Sequence, residues 1–110
     1  SYYSENGKKD WEKLAQIELN SLVKSIELYK IQHGKYPNNL EELTNEDKSV
    51  ITYDPTQPAS ENSSFIYQNL GNKYLLFSCG TDKIKNTKDD IYPQISITKK
   101  TGWIRKSKSR

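Results

Sequence analysis

The sequence predicts an α+β domain: one long N-terminal α-helix packed on a small antiparallel β-sheet, with an acidic loop set between strands. Three observations predict it. Apolar residues recur at helical spacing between Lys9 and His33, and short extended runs separated by glycine-containing turns fill the second half. Asp82, Asp89 and Asp90 fall close together between two of those runs. A single helix followed by a small sheet is an α+β arrangement, because the sheet's apolar face needs the helix to cover it.

Within the first segment Ala15, Leu19, Leu22, Ile26 and Tyr29 are spaced by four, three, four and three residues, which sets them on one helical face. Glu12, Lys13, Gln16, Asn20, Lys24 and Glu27 cover much of the rest. Gly34 is a stop signal, since it tolerates the left-handed conformation that closes many helices, and Pro37 prevents continuation. Leu14, Ile17, Leu28 and Ile31 lie off the main stripe. Such a helix either has a wide core face or packs on its own sheet with one side and on neighbouring subunits with the other.

Between Asn38 and Asp47, Asn39-Leu-Glu-Glu-Leu reads as a short helix behind a polar cap. Val50 to Tyr53 offers a short strand, and Asp54-Pro55 reads as a turn that opens an irregular stretch. Phe65 to Gln68 and Tyr74 to Ser78 flank Asn69-Leu-Gly-Asn-Lys, which predicts a hairpin. Gln94 to Thr98 and Trp103 to Arg105 flank Lys99-Lys-Thr-Gly, which predicts a second.

The bulk numbers narrow the function. At 110 residues and 33% hydrophobic, residues 1–110 make one domain with a modest core. The one cysteine, Cys79, excludes an internal disulfide. No stretch approaches the roughly 20 apolar residues of a membrane span. The chain opens at Ser1-Tyr2-Tyr3 without methionine, and is expected to be cut from a longer protein on its N-terminal side. Six of the 17 basic residues (Lys99, Lys100, Arg105, Lys106, Lys108 and Arg110) lie in the last twelve positions, so residues 99–110 form a basic hairpin and tail. The remaining 11 basic and 14 acidic residues give that part a charge of −3. A basic tail draws nucleic acid or anionic lipid, or simply keeps the chain in solution. Neither zinc-finger spacing nor a base-reading basic helix accompanies it, so a nucleic-acid partner is not expected. Cys79 and His33 are the only nucleophile–base pair on offer, and no third group completes a catalytic set; the chain is not expected to be an enzyme.

Ser78-Cys-Gly-Thr-Asp82-Lys-Ile-Lys-Asn-Thr-Lys-Asp89-Asp90-Ile91 is the stretch with chemistry in it. If the intervening residues loop back, three carboxylates meet, and clustered carboxylates repel unless a cation neutralises them. Calcium takes six to eight oxygen ligands, mixing carboxylates with the backbone carbonyls that a loop supplies; magnesium demands a stricter octahedron. Lys83, Lys85 and Lys88 offer the alternative, neutralising the acids with no metal. The spacing is not that of an EF-hand.

Together these residues resemble the major, G-type pseudopilin of type II secretion, within the type IV pilin-like superfamily. The helix-end motif reads Ile26-Glu-Leu-Tyr29-Lys30-Ile-Gln-His-Gly34-Lys-Tyr36-Pro37, followed by Leu40-Glu-Glu-Leu43, then Ser78-Cys-Gly80-Thr-Asp82 and Asp89-Asp90-Ile91, over roughly residues 10 to 93. The resemblance implies a pilin-like fold whose helix continues into a membrane-anchored segment. It also implies a calcium-binding loop in which Asp82, Asp89 and Asp90 are side-chain ligands, with backbone carbonyls near Cys79, Thr87 and Ser78 completing the shell. The expected function is that of a structural subunit, self-assembling with other pseudopilins and inner-membrane secretion components into a periplasmic filament that drives protein export. The sequence departs from the family in its lysine-rich acidic loop, in Tyr92-Pro93-Gln94 after the final Asp-Ile, and in its C-terminal hairpin and basic tail. A minor pilin-like adhesion or DNA-binding subunit of a type IV pilus or competence system is the alternative.

Overall fold

A computed structural model of the chain describes residues 8–57, 63–80, 91–94 and 101–104. Helix α1 spans Lys8–His33, one residue longer than the apolar pattern predicts. Its length is about 39 Å at the usual rise per residue. Four of the five residues of the predicted stripe are buried: Ala15, Leu19, Leu22 and Ile26 are at most 1% exposed, Val23 joins them, and Tyr29 is partly buried against them. Burying each of the four branched side chains favours folding by about 1.5–3 kcal/mol. The helix ends where expected. Gly34 adopts a φ of 82° and donates its N–H to the Lys30 carbonyl at 2.7 Å, while Lys30 and His33 place positive charge or its potential in the last turn.

Helix α2, Leu40–Glu46, is short and held by its cap. Asn39 Oδ1 accepts the Glu42 N–H at 3.1 Å, and the Glu42 carboxylate accepts the Asn38 N–H at 2.8 Å. That second bond, aided by the Tyr29 hydroxyl, holds the Glu42 carboxyl below its ordinary range. Leu40 and Leu43 turn inward, onto the core beneath α1.

Strands β1 (Ile66–Asn69) and β2 (Tyr74–Phe77) form the first predicted hairpin, in antiparallel register from Ile66↔Phe77 to Asn69↔Tyr74. Gly71, at φ 93°, supplies the turn's left-handed residue and donates to Asn69 Oδ1. Strand β3 (Trp103–Ile104) completes the order β1-β2-β3. Here the structure corrects the sequence reading: β3 lies parallel to β2, with Tyr74↔Trp103 and Leu75↔Ile104, so the sheet is mixed rather than antiparallel. The chain leaves β2 at Phe77 and has residues 78–102 in which to return to the Tyr74 end, enough for a parallel crossover. Gln94, expected to open a strand paired with 103–105, instead donates its N–H to Asn20 Oδ1 on α1 at 2.8 Å. Residues 95–98 and the basic tail beyond Ile104 lie outside the described residues. The strand expected over Val50 to Tyr53 reduces to one bridge, Tyr53↔Ser64.

Glu27 ties helix to sheet. Its Oε2 accepts from the hydroxyls of Tyr36 and Tyr74, each at 3.0 Å, and from the Gly102 N–H at 2.9 Å. Tyr36 and Tyr74 are themselves core residues, ring edge against ring face at 4.8 Å. One half-buried carboxylate thus joins α1, the segment after it, β2 and the approach to β3.

Candidate functional site

Of the six residues singled out for a metal, Ser78 and Cys79 are described; Asp82, Thr87, Asp89 and Asp90 lie outside the described residues. Among the described residues no group of three His, Cys, Asp or Glu side chains is placed to hold a metal ion. What the structure does give is the base of the acidic loop. Ser78 and Ile91 form an antiparallel bridge, each donating its N–H to the other's carbonyl at 2.8 Å. Such a pair keeps the two Cα atoms about 5.5 Å apart. Chain connectivity then puts Asp90 one residue from the returning arm and Asp82 four residues from the departing one.

The departing arm is held by a buried carboxylate. Asp54 is 5% exposed and Ser78 is fully buried. Ser78 Oγ donates to Asp54 Oδ2 at 2.6 Å, and accepts the Gly80 N–H at 3.0 Å. Thr56 donates both its N–H (2.9 Å) and its hydroxyl (2.6 Å) to Asp54 Oδ1. Gln57 Nε2 donates to the Gly80 carbonyl at 2.6 Å, and Gly80 stands at φ 77°. No ion pair reaches Asp54 among the described residues; three hydrogen-bond donors meet its carboxyl oxygens instead. Burial, then the charge of Asp54, push the nearby Glu18 carboxyl above its usual range. The returning arm is held against α1, where Gln16 Nε2 donates to the Tyr92 carbonyl and Asn20 receives Gln94. The Tyr92 ring rests on Phe77, with centroids 5.4 Å apart.

Sequence reasoning missed Asp54. The turn it foresaw is present, with the Gln57 N–H on the Asp54 carbonyl at 3.1 Å. The available signal was an Asp with a Thr two residues on, the pattern of a side chain closing its own turn. Its bond to Ser78, 24 positions away, leaves no local trace. Cys79 and His33, an incomplete nucleophile–base pair in the sequence, have separate surroundings. His33 Nε2 meets Glu46 Oε2 at 2.8 Å and its ring lies on Tyr29, whereas Cys79 is buried at the end of β2.

The sequence supplies oxygen donors suited by chemistry to a hard cation, most of them outside the described residues. Carboxylates from Asp82, Asp89 and Asp90 and carbonyls from Cys79 and Thr87 are all oxygen donors of the kind calcium takes. Ser78 is differently placed: its hydroxyl is engaged with Asp54 and Gly80, and its carbonyl with Ile91.

No curated protein and no solved structure matches the chain. A family model does, that of type II secretion system (T2SS) protein G, over residues 3–94. The match takes in α1, α2, the β1–β2 hairpin and the Ser78–Ile91 bridge, and it stops before β3. The chain therefore belongs to the type II secretion system protein G family, the pseudopilins.

Proposed function

We propose that this protein is a structural subunit of a type II secretion pseudopilus. Copies of it assemble, with other pseudopilins and inner-membrane secretion components, into a periplasmic filament that drives protein export. An apolar segment preceding α1 anchors each copy in the inner membrane before assembly. The observation that carries this reading is the family match, which spans residues 3–94. The exposure of Ile17, Leu28 and Ile31 on α1, at 58%, 52% and 79%, supports it, since these apolar side chains are available to neighbouring copies.

The proposal includes calcium in the loop, with Asp82, Asp89 and Asp90 as side-chain ligands and the carbonyls of Cys79 and Thr87 as further protein oxygens; the Ser78 carbonyl, expected among them, already accepts the Ile91 N–H. Bound there, calcium supplies the charge that three neighbouring carboxylates lack. The Ser78–Ile91 bridge supports this reading because it brings the two ends of the loop together at its base. At 100 times its dissociation constant, a ligand of the folded state stabilises it by about 2.7 kcal/mol. For a domain of this size that raises the melting temperature by roughly 10 °C. Thermal unfolding in millimolar calcium and in EGTA tests it. Coincident curves would remove calcium from the function and leave Lys83, Lys85 and Lys88 to neutralise the loop.

A further inference from the structure

We infer that Asp54 is a positioning residue for the acidic loop, setting the direction in which the chain enters it; the inference rests on the calcium reading of that loop. Asp54 belongs to another part of the chain, yet the side-chain hydrogen bonds that hold Ser78 and Gly80 on the departing arm lead back to it. Its Oδ2 orients the Ser78 hydroxyl, and that hydroxyl receives the Gly80 N–H. Its Oδ1 holds Thr56, closing the turn that aims Gln57 Nε2 at the Gly80 carbonyl. Gly80 is thereby clamped at both its N–H and its carbonyl, in the left-handed region.

Asp82, the first acid of the loop, is two residues beyond that clamp. On the other side the Ser78–Ile91 bridge and the bonds from Gln16 and to Asn20 hold residues 91–94, which follow Asp89 and Asp90 in the chain. A loop whose two arms are set in advance gives up less freedom when its carboxylates converge, and preorganisation of this kind appears as affinity. Groups that orient metal ligands without touching the metal are worth about 10- to 100-fold in binding. Burying a carboxylate among neutral donors is costly unless the surroundings use it, and orienting this arm is such a use.

The test is calcium titration calorimetry on the wild-type chain, Asp54→Asn, Gln57→Ala and, as a loop control, Asp89→Asn. Asp54→Asn turns one acceptor oxygen into a donor facing Ser78 or Thr56. Gln57→Ala removes only the hold on the Gly80 carbonyl, and decides the matter if Asp54→Asn does not fold. Both variants should bind calcium about 10-fold more weakly or worse, with the calcium-free melting temperature of Gln57→Ala unchanged. In the calcium-free wild type the Gly80 amide should be protected from hydrogen exchange. Wild-type affinity in both variants, alongside lost binding in Asp89→Asn, overturns the positioning role and leaves the calcium reading standing. A melting temperature lowered equally with and without calcium, at constant affinity, would make Asp54 merely structural and overturn it too. A wild-type chain that binds no calcium overturns both.

Discussion

Glu27 lies on α1 with its carboxylate facing two tyrosine hydroxyls and the Gly102 amide. Burial and the bond to Glu27 push the Tyr36 hydroxyl up to about 12, and Tyr74 is raised further for the same reasons. Both therefore remain donors at any physiological pH. Replacing Glu27 by Ala strands three donors in the interior, and each stranded group costs about 1–3 kcal/mol, so a loss of at least about 3 kcal/mol is expected. Glu27→Gln keeps one acceptor while presenting an amide to the remaining donors, and should cost about 1–2 kcal/mol. Urea midpoints measure both. Equal midpoints for the two variants would show that the carboxylate is not the tie between helix and sheet. From the sequence Glu27 reads as part of the solvated face of α1, because its partners arrive from residues 36, 74 and 102. Gln16 and Asn20 read the same way, and they too turn out to hold distant backbone. Spacing identifies the apolar stripe of a helix; it does not say which polar neighbours of that stripe are in use.

Elements whose cause is local were legible at nearly their true bounds. The apolar period and Gly34 mark α1, Asn39 marks the start of α2, and Gly71 marks the β1–β2 turn. Strand β3 was placed correctly, but its parallel pairing with β2 was not foreseen; the hairpin expected across Lys99-Lys-Thr-Gly falls on residues 95–100, outside the described residues. A parallel pairing depends on a crossover, and a crossover has no signature at the strand itself. The base of the candidate site was half legible for the same reason: Ser78 and Ile91 bracket the acidic run in sequence, whereas Asp54 reaches it only through space. Although β3 lies beyond the family match, it is integral to the sheet. A Cβ at Gly102 would stand 2.8 Å from Tyr36 Cζ and 3.0 Å from the Asn72 carbonyl oxygen. Tyr36 is buried and cannot swing aside. Gly102→Ala should therefore destabilise the domain by about 1–3 kcal/mol, the range for overpacking a filled site. A melting temperature equal to wild type would mean that the approach to β3 gives way freely and contributes little.

At the scale of the whole molecule, α1 has two unlike sides. One carries Leu19, Leu22, Val23 and Ile26 into the core; the other leaves Ile17, Leu28 and Ile31 in water. Residues 17, 28 and 31 differ by 11 and 3 positions, close to whole turns, so they line one strip of the helix surface. Apolar side chains on such a strip gain nothing while the domain is alone, and they gain once a neighbouring copy covers them. Under the proposed function, folding and assembly would use opposite sides of one helix, and substitutions would separate the two. Ile17→Asp with Ile31→Asp should leave the melting temperature of the domain almost unchanged, since exposed sites rarely shift stability by more than about 0.5 kcal/mol. The same pair should abolish filaments seen by microscopy and cross-links between copies when placed in the membrane-anchored protein. Filaments formed at wild-type yield by this double variant would move the assembly surface off this strip. A large fall in melting temperature would instead show that the strip serves the domain's own fold.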